Sequence, residues 1–211
     1  MLSACDNSLF YLINKGCSSH LFNAVMPLLT ELGSGKVLLI TAIALILFRN
    51  KKARRFGILL LIALVLSYGI VYILKIWIAR PRPSLVLAHV HLLAKEKGYS
   101  FPSGHAAYIF MAVSLLAAYF KKFYPDASKP PRSKRGEWIR SGFRPEGARK
   151  KRILGFRPDG LHYLYIVAFG VAFSRIYLGV HFPSDVIAGA LIGTIIGVSI
   201  SKISPILLFD F

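Results

Sequence analysis

Three clusters of polar residues, set in an otherwise apolar chain, combine the side chains needed to hold a phosphate and attack its phosphorus. In chain order they are Lys75 with Arg82-Pro83, then Pro102-Ser103-Gly104-His105, and then Ser174-Arg175 with His181 and Asp185. They supply three cations, two imidazoles, one carboxylate and a glycine-containing turn. This combination predicts phosphoryl chemistry, because the cations can neutralise the charge that develops on the phosphate oxygens.

Binding of the phosphate is assigned to the cations and to one helix start. Lys75, Arg82 and Arg175 can neutralise the phosphate oxygens, the two arginines through bidentate hydrogen bonds. Ser103 and Gly104 begin an apolar segment, where free backbone N–H groups and the helix dipole favour an anion. Glycine also lets the backbone approach the ligand closely. We expect these five residues to form the phosphate-binding site.

Two histidines are available for the chemical step. His181 and Asp185 are four residues apart, so on a helix the carboxylate could accept a hydrogen bond from one imidazole nitrogen and leave the other free to attack. His105 then remains as the proton donor to the departing oxygen. The chain has no acidic cluster suited to a divalent cation. We therefore expect no metal and no cofactor, with the three cations in that role.

Each of these residues also has an ordinary structural explanation. The three cations could extend to the membrane interface, Pro102-Ser103 could simply start a helix, and His181 with Asp185 could be a common i,i+4 pair. The functional interpretation depends on their occurrence together. Charges close to a membrane are costly, and all of them are expected on one face of the protein.

Long apolar segments separate the clusters and predict a membrane protein. The hydrophobic fraction is 55% and the mean hydropathy is +0.56. Phe56–Ala79 is long enough, at ~1.5 Å per residue, to cross the ~30 Å hydrocarbon core of a bilayer. We predict an all-α, polytopic membrane bundle of six transmembrane helices. Their predicted bounds are Ser19–Leu32, Lys36–Phe48, Phe56–Ala79, Gly104–Phe120, Leu161–Leu178 and Asp185–Ile203.

The net charge of +18 is concentrated in two stretches of the chain. Eighteen of the 27 Lys and Arg residues lie in Arg49–Arg55 and Lys121–Arg157, between apolar segments, as in cytoplasmic loops under the positive-inside rule. No groove-reading module accompanies this charge, so nucleic-acid binding is not expected. With six helices, the three clusters fall on the face opposite both basic stretches. This predicts cytoplasmic termini and a site that faces the periplasm or the cell exterior.

The chain is interpreted as a single integral-membrane domain over residues 1–211, with two segments outside the bundle. Residues 1–18 are expected to form an interfacial N-terminal segment. Residues 124–160 are rich in Pro, Gly and Arg and predict a basic cytoplasmic loop. That loop could be solvated and mobile, or it could bind anionic lipid headgroups.

Three glycines on the last predicted helix indicate a close helix contact. Gly189, Gly193 and Gly197 recur every four residues, which places them on one helix face and lets another helix approach. The partner could belong to the same chain or to a second copy. We expect packing within the monomer.

The three clusters together resemble the signature of the type 2 phosphatidic acid phosphatase family, which shares its core with vanadium haloperoxidases and glucose-6-phosphatase. The chain matches K-x6-R-P, P-S-G-H and S-R-x5-H-x3-D without departure, and the resemblance covers about residues 19–203. It implies that His181 forms a phosphohistidine supported by Asp185. It also implies that His105 protonates the leaving group and then activates water, and that no metal is required.

The resemblance implies an integral inner-membrane lipid phosphatase of the cell envelope, whose partners are a lipid phosphate and the bilayer. The expected substrate is undecaprenyl diphosphate or phosphatidylglycerophosphate, with lipid A 1-phosphate and phosphatidate as alternatives. The headgroup is expected to contact Tyr99–Phe101 and the loop Ser84–Ser100. Two other classes stay open: a lipid phosphotransferase, in which an acceptor replaces water, and a non-catalytic protein that binds or transports a lipid phosphate.

Overall fold

The computed structural model describes residues 2–123 and 161–207, and all regular elements in these two ranges are helices. The all-α prediction is therefore confirmed for the described part of the chain, while the basic loop 124–160 lies outside it. The helices, in chain order, are α1 Leu2–Asn14, α2 His20–Glu31, α3 Gly35–Leu47, α4 Lys51–Ile78, α5 Pro83–Val86, α6 Gly104–Phe123, α7 Leu161–Tyr177 and α8 Pro183–Leu207.

Local sequence explains where the longest helix, α4, begins and ends. The Asn50 side chain accepts a hydrogen bond from the backbone N–H of Lys52 at 2.8 Å and caps the start of the helix. At the other end Ala79 adopts a left-handed conformation with φ 47°. Pro81 and Pro83 follow, and proline cannot continue the hydrogen-bond ladder of a helix. α4 therefore ends one turn after Lys75, which places that cation at the edge of the bundle.

The glycine face of α8 packs against α6, as the spacing predicted. A Cβ atom at Gly193 would overlap the carbonyl of Ala107 and lie 2.9 Å from the backbone nitrogen of Met111. Gly189 and Gly197 meet the α6 backbone in the same way. The contact lies within the monomer, and it brings the first turns of α6 and α8 together at one end of the bundle.

The six-span count is not confirmed. Among the described residues, two segments qualify as spans by length and composition: α4 with its continuation to Val86, and α8. α2 and α3 provide a third span only if they are counted together as one pair bent by 47°. α6 and α7 are shorter apolar helices. α2 alone is too short to cross the bundle, because its 12 residues rise about 18 Å against a hydrocarbon core of about 30 Å, and it begins beside the last turn of α7. Asn23 accepts a hydrogen bond from Tyr177 at 2.5 Å, and Thr30 accepts one from Arg175 at 2.8 Å.

The N-terminal helix lies at the same end of the bundle as the three clusters. Asp6 accepts a hydrogen bond from the backbone N–H of Ser184 at 2.9 Å, and Asn14 donates one to the carbonyl of Tyr177 at 2.8 Å. Lys52 of the first basic stretch lies at the other end, where its carbonyl accepts from the Tyr119 hydroxyl at 3.0 Å. The prediction that the site and the N-terminus lie on opposite faces is therefore wrong, since it required α2 to cross.

Candidate active site

A tight turn after α7 brings the two ends of the third cluster together. Gly179 has φ 79° and is packed so closely that a Cβ atom would lie 2.9 Å from the carbonyl of His91. Only glycine fits this left-handed position without strain. The turn folds His181 back over the end of α7, so that Arg175 and His181, each only 1% exposed, share one buried pocket.

Asp185 is held from several sides in the first turn of α8. Its Oδ2 accepts hydrogen bonds from the backbone N–H of Phe182 at 2.9 Å and from the Ser100 hydroxyl, and its Oδ1 accepts from Arg80 at 2.6 Å. A carboxylate here also suits the positive end of the helix dipole. The Nδ1 atom of His181 lies 3.7 Å from Oδ2, too far for a hydrogen bond. Asp185 is thus positioned beside His181, but the predicted hydrogen bond is not formed in this structure.

The second cluster starts α6 directly against Asp185. The backbone N–H of Ser103 donates to the carbonyl of Asp185 at 3.0 Å, and the Ser103 side chain is fully buried. Its hydroxyl has no hydrogen-bond partner in the part of the chain that the structure describes. His105 is half-buried in the first turn of α6, within electrostatic range of Arg175, Glu96 and His181. The structure therefore brings the second and third clusters into one site.

The three predicted cations converge on the same pocket. Arg82 donates to the carbonyl of Val180 at 2.9 Å, which ties the first cluster to the turn that carries His181. Arg175 donates to Thr30, and its Nε is buried without a partner among the described residues. Lys75 donates to the carbonyl of Tyr99 at 2.6 Å. All eight predicted site residues thus lie around one pocket, and buried donors remain available in it.

A carboxylate that the sequence analysis missed, Glu96, occupies the centre of this pocket. Its Oε1 pairs with Nη2 of Arg175, its Oε2 lies 3.1 Å from Nη1 of Arg82, and the same oxygen lies 3.8 Å from Nε2 of His181. Glu96 is the only acidic residue between Lys75 and Phe123. Its isolation among basic residues was the one available signal, although it did not indicate that the side chain would turn inward.

The electrostatics of the pocket follow from burial and from these pairs. Burial alone would raise the pKa of Glu96, but the charges of Arg175, His181 and Arg82 outweigh it and hold that pKa at about 2. Burial lowers the pKa of His181 to about 4, although the nearby Asp185 acts in the opposite direction. His181 is therefore a neutral imidazole near neutral pH, which is the nucleophilic form.

The described residues contain no group of three or more His, Cys, Asp or Glu side chains placed to hold a metal ion. What the pocket offers is an anion site with three cations, a helix start and a neutral imidazole. Residues 56–207, which include all three clusters, match the family model described as the PAP2 superfamily.

The chain belongs to the PAP2 superfamily.

Two curated relatives support this membership over most of the chain. One is named undecaprenyl-diphosphatase, from Sulfolobus acidocaldarius, and is 32% identical over 203 residues, covering 94% of this chain and 79% of the relative. The other is named phosphatidylglycerophosphatase B, from Bacillus subtilis, and is 30% identical over 176 residues, covering 82% of this chain and 71% of the relative.

Two solved structures are similar in fold to this chain. The crystal structure of Aquifex aeolicus LpxE has a TM-score of 0.63 and 30% identity, covering 92% of this chain and 93% of that one. A transmembrane PAP2-type phosphatidylglycerolphosphate phosphatase from Bacillus subtilis has a TM-score of 0.67 with coverage of 100% and 89%. At 23% identity the second comparison concerns the fold alone.

Proposed function

We propose that this chain is a metal-independent membrane lipid phosphatase that works through a phosphohistidine on His181. Membership of the PAP2 superfamily, with relatives named as phosphatases, makes it a phosphoric ester hydrolase. One observation carries the mechanism: Glu96 places a carboxylate across Arg82 and Arg175, 3.8 Å from Nε2 of His181. A phosphoryl group bound to the same two guanidinium groups would present its phosphorus to that nitrogen.

The proposed reaction has two steps. Nε2 of His181 attacks phosphorus, the bond to the leaving oxygen breaks, and His105 gives that oxygen a proton. His105 then takes a proton from water, the resulting hydroxide attacks the phosphohistidine, and His181 leaves as phosphate is released. Lys75, Arg82 and Arg175 neutralise the charge on the phosphoryl oxygens during both steps.

The substrate is proposed to be a phosphate monoester or diphosphate of a lipid. The relatives' names favour undecaprenyl diphosphate and phosphatidylglycerophosphate, and lipid A 1-phosphate and phosphatidate stay as the alternatives. Exposed apolar side chains continue along α4 to Trp77, which is 83% exposed and only two residues beyond Lys75. Bilayer lipid can therefore reach the level of the cations from the side.

An assay of the purified protein in detergent tests this function. Phosphate release is measured for the four lipid phosphates above, with excess chelator present and with His181→Ala as the control. We expect hydrolysis that survives chelation and is inhibited by vanadate, which imitates the trigonal-bipyramidal transition state. Loss of activity on chelation, restored by a divalent metal, would contradict the metal-independent mechanism. Phosphate release that falls as acceptor lipid is added would instead indicate a phosphotransferase.

We propose that the site faces the periplasm or the cell exterior. The basic stretch Arg49–Arg55 begins α4 at the end opposite the site, and the positive-inside rule places such stretches in the cytoplasm. A cysteine replacing the exposed Lys95, in a background without Cys5 and Cys17, should react with a membrane-impermeant thiol reagent in intact cells. A cysteine replacing Arg49 should not react. The reverse pattern would place the site in the cytoplasm.

A further inference from the structure

The N-terminal helix reaches the active site through one acidic side chain, Asp6. Its Oδ1 accepts from the backbone N–H of Ser184 at 2.9 Å, and its Oδ2 accepts from the Ser184 hydroxyl at 2.6 Å and from Nη2 of Arg80 at 2.7 Å. Asp6 is only 9% exposed. It lies outside residues 56–207, which match the family model.

Arg80 links Asp6 to the carboxylate beside the nucleophile. Its Nη1 donates to Oδ1 of Asp185 at 2.6 Å and to the Ser184 hydroxyl at 2.7 Å, while the guanidinium lies 4.0 Å from the centre of the Phe182 ring. The backbone on either side is restricted by the left-handed Ala79 and by Pro81. A planar guanidinium held on both of its terminal nitrogens and on one face has little freedom to rotate.

The consequence for Asp185 is a fixed rotamer. Arg80 engages Oδ1, while Oδ2 accepts from Ser100 and Phe182 and points towards Nδ1 of His181. Without the Asp6 carboxylate, Arg80 keeps Asp185 as a partner, but its guanidinium is no longer held in one orientation. The carboxylate could then follow the guanidinium away from the imidazole.

We propose that Asp6 and Arg80 are positioning residues, through which the N-terminal helix sets the orientation of Asp185 and hence of the His181 imidazole. The inference rests on the proposed function, in which Asp185 supports His181. A purely structural role, in which Asp6 only anchors α1, makes different predictions. It would reduce the fraction of folded enzyme without changing the chemistry of the molecules that remain folded.

The test compares Asp6→Asn with the matched variant Tyr11→Phe. Tyr11 also ties α1 to the bundle, through a 2.8 Å hydrogen bond from its hydroxyl to the carbonyl of Ala88, but it does not contact the Asp6–Arg80–Asp185 chain. For the lipid phosphate hydrolysed fastest in the panel above, Asp6→Asn should lower kcat on the order of tenfold or more with KM unchanged, because small displacements of a catalytic group are costly. Tyr11→Phe should retain wild-type kcat.

Two binding probes separate positioning from anchoring. Orthovanadate bonds to the nucleophile, so its affinity for Asp6→Asn should fall in parallel with kcat. Its binding stoichiometry should stay at the wild-type value. Inorganic phosphate needs mainly the cations and should inhibit both variants equally. Asp6→Glu should restore part of kcat, and Arg80→Lys should behave like Asp6→Asn, since lysine cannot hold two partners in a fork.

The inference is overturned if Asp6→Asn has the same kcat and the same affinity for vanadate as the wild type. It is also overturned if Asp6→Asn binds vanadate with unchanged affinity but at reduced stoichiometry, since that result indicates a smaller folded fraction. Failure of the proposed function would look different. In that case His181→Ala would hydrolyse the lipid normally, or the wild-type protein would hydrolyse none of the panel. If the wild-type protein hydrolyses none of the panel, vanadate and phosphate binding would still test the Asp6–Arg80 link, because neither probe requires turnover.

Discussion

The two halves of the candidate active site are held in place by different kinds of structure. His181, Asp185 and Ser103 lie at helix starts and in a glycine turn, and the backbones of α6 and α8 interlock beneath them. Lys75 and Arg82 are instead bonded to carbonyls of the loop that connects α5 to α6, at Tyr99, Gly98 and Lys97. Under the proposed mechanism, the residues assigned to the chemical step are therefore held by the fold, whereas the cations would exchange protein partners for substrate oxygens.

Glu96 shows how the two halves differ, because it already pairs with two of the cations. Its carboxylate satisfies Arg82 and Arg175, and a buried guanidinium without a partner would be costly. A phosphate cannot use these same donors while the carboxylate occupies them. In the proposed reaction the cation half would thus exchange one anion for another, and the departure of Glu96 would also clear Nε2 of His181, which lies 3.8 Å from its Oε2.

The largest effect should come from the fixed half. Replacing His181 with Ala removes the proposed nucleophile, so we expect turnover to fall by about a thousandfold or more while the helical fold is kept. Asp185→Asn should reduce the rate less, because it leaves the nucleophile in place. Lipid phosphate hydrolysis by purified variants checks this, with circular dichroism as the folding control. Near-normal hydrolysis by His181→Ala would contradict the mechanism.

A single added methyl group tests the close contact between α6 and α8. Gly193→Ala should destabilise the protein by about 1–3 kcal/mol, because the added Cβ overlaps the Ala107 carbonyl and helix backbones adjust poorly. Gly69→Ala is the matched control, since a Cβ there meets nothing within 4 Å. Thermal unfolding in detergent should show a lower midpoint for Gly193→Ala alone. Equal midpoints would mean that the α6–α8 contact is not tight.

The cation half is tested by Glu96→Gln. Removing the competing charge should strengthen inhibition by inorganic phosphate on the order of tenfold, as expected when a charge-assisted hydrogen bond no longer has to be displaced. The amide keeps the size of the side chain and one acceptor oxygen, so the fold should be kept, although the unpaired charges of Arg82 and Arg175 should lower the free energy of unfolding. The measurement is the inhibition constant of inorganic phosphate for the wild type and for Glu96→Gln. Unchanged phosphate inhibition together with a large loss of kcat would instead make Glu96 part of the chemistry.

The smallest effect concerns pH. Since burial lowers the pKa of His181 to about 4 from an ordinary value of 6.5, its protonated, inactive form accumulates only below the lowered value. The acid limb of kcat/KM should therefore lie near pH 4 rather than near pH 6.5. A profile measured on detergent-solubilised enzyme checks this. A limb near the ordinary histidine value would contradict the lowered pKa of His181.

The sequence predicted the site better than it predicted the path of the chain. The three clusters converge because each adjoins the end of an apolar segment, and both apolar runs and helix-ending prolines are readable locally. Glu96 was missed because its inward direction depends on Arg82, 14 residues before it, and on Arg175, 79 residues after it. The course of α2 was also missed, since its polar contacts with Tyr177 and Arg175 come from residues about 150 positions away and leave no local pattern.

The glycine contact between α6 and α8 has a consequence for membranes of different thickness. Helices adapt to a thinner or thicker bilayer largely by tilting, and two helices whose backbones interlock must tilt together. Ser103, His105 and Asp185 would move as one body, so their mutual spacing should persist while the depth of the pocket changes. In vesicles of short- and long-chain phospholipids, we therefore expect KM to vary more than kcat.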